Sequence, residues 1–147
     1  MKLLDIKIIK PLKMKPLDTK YWQLTDDLYA KFITNEGTYH LKLKKGWITD
    51  LRSGCDVINM LVPKWGNDIY TITVLFHDCA WSGWVSRELS NEILRQGMIL
   101  SGEIGSFRAG LVFKAVQTFG TYYNLDDALP EPYTINRVFE SLKLLDK

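Results

Sequence analysis

At 147 residues, 46% apolar and 24% charged, the chain has ordinary globular composition and length for one domain with a buried core. A domain this size hides roughly 70% of the surface its unfolded chain exposes. A net charge of +2 and a pI of about 8.5 are too mild to indicate nucleic acid as a partner. Cys55 and Cys79 are the only cysteines, without CxxC spacing, so no disulfide framework is expected. Cys79, inside an apolar run, reads as a small buried hydrophobe. Met1-Lys2-Leu3-Leu4 runs straight into Asp5 and Lys7, so no apolar leader is expected. No run approaches the roughly 20 apolar residues of a membrane span.

Lys2, Lys7, Lys10, Lys13, Lys15 and Lys20 crowd the first twenty residues against Asp5 and Asp18. They read as a solvated edge strand that resists strand-to-strand aggregation, or as an arm for a phosphate or acidic partner. A strand is expected near 3–10, followed by an extended segment limited by Pro11 and Pro16. Residues 21–24 and 28–33 are rich in aromatic and branched side chains and read as strands, interrupted by Thr25-Asp26-Asp27. Asn35-Glu36-Gly37-Thr38 is a turn. Residues 39–45 then alternate with period two: Tyr39, Leu41 and Leu43 on one face, His40, Lys42 and Lys44 on the other. Strand, turn and strand make a hairpin, with His40 on its solvated face. Gly46 lets the chain bend before Trp47-Ile48.

From Asp50 the pattern changes to helices. Residues 56–62 read as a short helix stopped by Pro63. Asn67 or Asp68 can cap the next, running from Ile69 to about Trp81. That helix is apolar nearly all round and is expected to be buried on most sides, with His77 and Asp78 partly buried in it. Ser86 can cap a third helix, with Glu88 near its positive end. A fourth carries the stripe Phe107, Leu111, Val112, Ala115, Val116 and Phe119, with Gly120 as its C-terminal stop. A last helix is expected over roughly 134–145. Strands first and helices second, without βαβ alternation, define an α+β fold: a small N-terminal antiparallel sheet packed on a C-terminal bundle of three to five helices. The chain reads as a single domain over 1–147. Residues 1–50 are mainly strands with a basic N-terminal arm, and residues 51–147 mainly helical.

Two polar clusters stand out: Gly46-Trp47-Ile48-Thr49-Asp50-Leu51-Arg52-Ser53, and His77-Asp78 within Val74-Leu75-Phe76-His77-Asp78-Cys79-Ala80-Trp81. Asp50, His77 and Asp78 are expected to converge. A neutral imidazole with ionised carboxylates suits Zn²⁺, Mn²⁺ or Fe²⁺, and such a metal could activate water for hydrolysis. The plainer alternative is a structural histidine hydrogen-bonded to a carboxylate. Arg87 reads as an ion-pair partner of Asp78 or as a clamp for an anionic substrate group. Trp65, Trp81 and Trp84 read as caps on the core or as the aromatic wall of a groove.

The order Gly-Trp-Ile-Thr-Asp…Ser, Val-Pro, Val-Leu-Phe-His-Asp-Cys-Ala-Trp, Ser-Arg-Glu resembles a small phage- and prophage-encoded family catalogued as domain of unknown function 1353. Thr49-Asp50, His77-Asp78, Ser86-Arg87 and Phe119-Gly120 carry the likeness, which spans about residues 37–120. The resemblance implies a phage setting: synthesis in a host cytoplasm, incorporation in the virion, and phage structural proteins or a host protein as partners. It implies catalytic or metal-holding roles for Asp50, His77 and Asp78, and binding roles for Ser53, Arg87, Asn91 and Trp81. The chain departs from the family pattern at Asn91, where the pattern has Asp, and at Leu51-Arg52, where it has Gly-x. Loss of that carboxylate points to a hydrolase-like but degenerate site. An active divalent-metal hydrolase is the competing reading.

Overall fold

A computed structural model describes residues 1–17, 21–49, 66–79, 86–119 and 139–146; the side chains at 78, 79, 118, 119 and 139–146 lie outside the description. Its elements are β1 (Leu3–Lys10), β2 (Met14–Pro16), β3 (Trp22–Leu24), β4 (Leu28–Thr34), β5 (Gly37–Leu43), β6 (Ile48–Thr49), α1 (Asp68–Cys79), α2 (Arg87–Ser101), α3 (Ser106–Phe119) and β7 (Phe139–Asp146). The fold is α+β. The chain forms two compact units, Met1–Asp50 with Tyr123–Lys147, and Leu51–Tyr122.

The first unit holds two antiparallel sheets, one ordered β1-β4-β5-β7 and one ordered β2-β3-β6. The β4–β5 hairpin follows the predicted alternation: Leu28, Ala30, Phe32 and Thr34 pair with Leu43, Leu41, Tyr39 and Gly37 on the buried face. Each large side chain so buried contributes about 1.5–3 kcal/mol. The strands come closer than expected, leaving only Asn35-Glu36 as the loop. Thr34 closes that loop by donating from Oγ1 to the Gly37 carbonyl (2.6 Å) and accepting the Glu36 N–H (3.1 Å). Gly46 adopts φ 98°, a left-handed conformation that suits glycine, and turns the chain so that Leu24 and Trp47 pair through the backbone. Tyr21, Ile48 and the partly buried Leu17 pack beside the second sheet.

The C-terminal segment corrects the sequence reading. The helix expected over 134–145 is instead β7, antiparallel to β5, with Tyr39 opposite Leu144 and Leu41 opposite Leu142. Leu, Lys and Glu favour helix locally, but the open edge of β5 offers a ladder of backbone partners that outweighs a weak local preference.

The second unit holds the three helices. Asn67 caps α1: its Oδ1 accepts the Tyr70 N–H (3.0 Å), its Nδ2 donates to the Ser101 carbonyl (2.7 Å), and its N–H donates to Glu103 (2.9 Å). One residue thus ties the start of α1 to the end of α2. Ser86 caps α2 by accepting the Leu89 N–H, and Gly102 closes it at φ 77° by donating to the Ile99 carbonyl. Helix α1 is buried on most sides, as its composition predicts.

Helix α3 buries part of its expected stripe: Val112, Ala115 and Val116 face the core as predicted. Phe107 is 80% exposed and Leu111 38%, whereas Ala109, Val112, Ala115 and Val116 join Tyr70, Leu94, Met98 and Ile104 in the core. Ala109 extends the buried spacing 112, 116 by one turn, but a small alanine carries little hydropathy signal. The predicted helix at 56–62 and Gly120 lie outside the described residues.

Candidate functional site

The contacts between α1 and α2 run in opposite order along the two helices, so they form an antiparallel hairpin. Asn67 meets Ser101 at one end, Thr73 lies against Gly97 in the middle, and His77 meets Asn91 towards the other end. The middle contact sets the separation. A Cβ at Gly97 would lie 2.5 Å from Thr73 Cγ2 and 2.6 Å from its Oγ1. Thr73 has little room to yield, because it is fully buried and its hydroxyl donates to the Ile69 carbonyl (2.7 Å).

This close approach brings His77 within reach of Asn91. His77 Nε2 stands 3.0 Å from Asn91 Oδ1, and Asn91 is only 1% exposed. An amide oxygen can only accept, so Nε2 carries the proton in this pair. His77 still meets solvent at one edge, yet burial pushes its pKa down to about 4, opposed by the bond to Asn91. The ring is therefore neutral at physiological pH, and its charged form is disfavoured by surroundings that desolvate it.

Ser90, beside Asn91 in α2, is also fully buried, and its hydroxyl has no hydrogen-bond partner among the described residues. Its N–H bonds the Ser86 carbonyl in the ordinary helical way. A lone serine between Leu89 and Asn91 gives no sequence signal of such burial, and the residue was not among the predicted site residues.

Of those predicted residues, the structure brings together His77 and Asn91. Arg87 is the first residue of α2, partly exposed, four positions before Asn91. Asp78 lies in α1, with its side chain outside the description. Asp50, Ser53 and Trp81 lie outside the described residues, as do Trp65, Trp84 and Cys55. Among the described residues, no three His, Cys, Asp or Glu side chains gather as a metal set. No described helix is long and apolar enough to cross a membrane.

The arrangement is a polar pair inside a helical hairpin of an α+β protein. No family model, curated protein or solved structure matches the chain.

Proposed function

We propose that this is a small phage- or prophage-encoded protein, incorporated in the virion or directed at a host protein, in which a hydrolase-like site has become a structural polar lock. The observation that carries the reading is the 3.0 Å bond between His77 Nε2 and the buried Asn91 Oδ1. A carboxylate in that place would stabilise an imidazolium and sustain proton transfer; an amide has no negative charge to do so. Asn91 orients the ring and satisfies it, as a structural partner does. The phage setting is supported by the ordered motifs Thr49-Asp50, His77-Asp78 and Ser86-Arg87.

A second reading draws on one observation. Burial keeps His77 neutral, which is the form that binds metal. Asp50, His77 through Nδ1, and Asp78 would then hold Zn²⁺, Mn²⁺ or Fe²⁺, whose Lewis acidity is what a hydrolase would use. The bond from Nε2 to Asn91 leaves Nδ1 for such an ion, but Asn91 is a neutral amide where the resembled pattern has a carboxylate, so the residues fit this role less well.

Metal analysis of protein purified without chelator separates the two readings. The expected result is no stoichiometric metal, with His77→Ala lowering the melting temperature alone. About one equivalent of metal per chain, lost in His77→Ala, would replace the lock with the hydrolase. Mass spectrometry of purified virions and capture from host lysate then distinguish incorporation from a host target.

A further inference from the structure

The solvent-facing side of the larger sheet concentrates positive charge that the whole-chain total hides. Cross-strand partners share a face, and the register aligns Lys7 with Lys31, Lys31 with His40, and His40 with position 143, also a lysine. The next row aligns Lys10 with Tyr29 and Tyr29 with Lys42. Strands lie about 4.8 Å apart and successive residues of one face about 6.8 Å apart, so the two rows form one patch. Directly opposed like charges such as Lys7 and Lys31 destabilise a sheet. Lys7, Lys31 and Lys42 make no ion pair among the described residues; Lys10 reaches Asp26 at 3.9 Å. Instead the ammoniums of Lys42 and Lys31 gather over the Tyr29 ring, 4.8 and 5.9 Å from its centroid. The Tyr29 hydroxyl is 2.6 Å from His40 Nδ1, which fixes both rings in the middle of the patch.

We propose that this face binds single-stranded nucleic acid, with the lysines on the phosphates and the Tyr29–His40 pair beneath the strand. Three features select this occupant. The cations are all lysines, point charges suited to phosphate, whereas paired recognition of carboxylates favours the planar fork of arginine. The patch is an antiparallel sheet face with a central aromatic residue, the platform on which single strands lie. Its partly exposed Tyr29, Lys31, His40 and Lys42 alternate with fully buried neighbours, so the sheet's own core holds the face in place.

Fluorescence anisotropy with labelled oligothymidylate tests the proposal on the full chain. Affinity should fall as salt rises, with a log–log slope of about −0.7 for each phosphate contacted. Lys31→Ala/Lys42→Ala should weaken binding at least about tenfold and shrink that slope by one to two contacts. Lys13→Ala/Lys15→Ala, with the same loss of charge away from this face, should bind within about twofold of the natural chain. The melting temperature of the first double variant should hold or rise, since a like-charge clash is relieved. The proposal is overturned by absence of binding at low salt, by equal losses in the two double variants, or by tighter binding of oligoglutamate, which would mark an acidic protein as the partner. None of these residues belongs to the helical unit, so either outcome leaves the His77 reading standing.

Discussion

His77 is a neutral group in a place that resists its charging, and this has a pH signature. Its pKa is lowered from 6.5 to about 4 on folding. As pH falls, the unfolded chain takes up the proton first, so the folded state loses ground. The contribution is whole above about pH 6.5, declines between about 6.5 and 4, and amounts to at most about 3 kcal/mol. Denaturant titrations across that window should show this decline, and His77→Gln should flatten it. Asn91→Asp would set a carboxylate against the Nε2 proton and raise the His77 midpoint by about one unit or more. An NMR titration reads this directly, because His40 is the only other histidine. Ser90→Ala should be neutral or stabilising by about 1 kcal/mol, since it removes a buried hydroxyl without a partner among the described residues and adds a better helix former. The sequence makes His77 and Asn91 each visible as candidates. It does not show that they touch, because their contact depends on how closely two helices approach.

That approach belongs to the elements, and Gly97 sets it. Gly97→Ala should gain about 1 kcal/mol of helix propensity yet lose about 1–3 kcal/mol to overpacking against Thr73, and Thr73→Ala should restore part of the loss. Chemical denaturation of the two single variants and the double variant gives the coupling. The caps at Asn67 and Ser86 were legible because their chemistry is local: a side-chain oxygen two or three residues before an orphan N–H. The face of α3 was legible only in part. Val112, Ala115 and Val116 are buried as their spacing predicts, whereas Phe107 and Leu111 are exposed and Ala109 joins the core instead. Phe107→Ser should therefore change stability by no more than about 0.5 kcal/mol, while Val112→Ala costs about 2. Thermal melts of the pair check which part of the predicted stripe faces the core.

For the whole molecule, the decisive pairing is between β5 and β7. The α+β class was legible because the period of the apolar pattern shifts from two to near four after Asp50. The closing strand was not legible, since its partner lies about 100 residues earlier and local composition says nothing of it. Likewise, a net charge of +2 conceals the lysine rows that register alone creates. Truncation before Phe139 should strip β5 of its partner, lower the melting temperature and promote aggregation, as read by calorimetry and size-exclusion chromatography. The same topology bears on how the protein is made. β5 leaves the ribosome well before β7, and at about 5–20 residues per second the nascent hairpin waits roughly 5–20 s with one edge bare. During that interval the growing chain is open to annealing with a neighbour on the same messenger, and lysines at 42 and 44 on the waiting strand and just beyond it keep such neighbours apart.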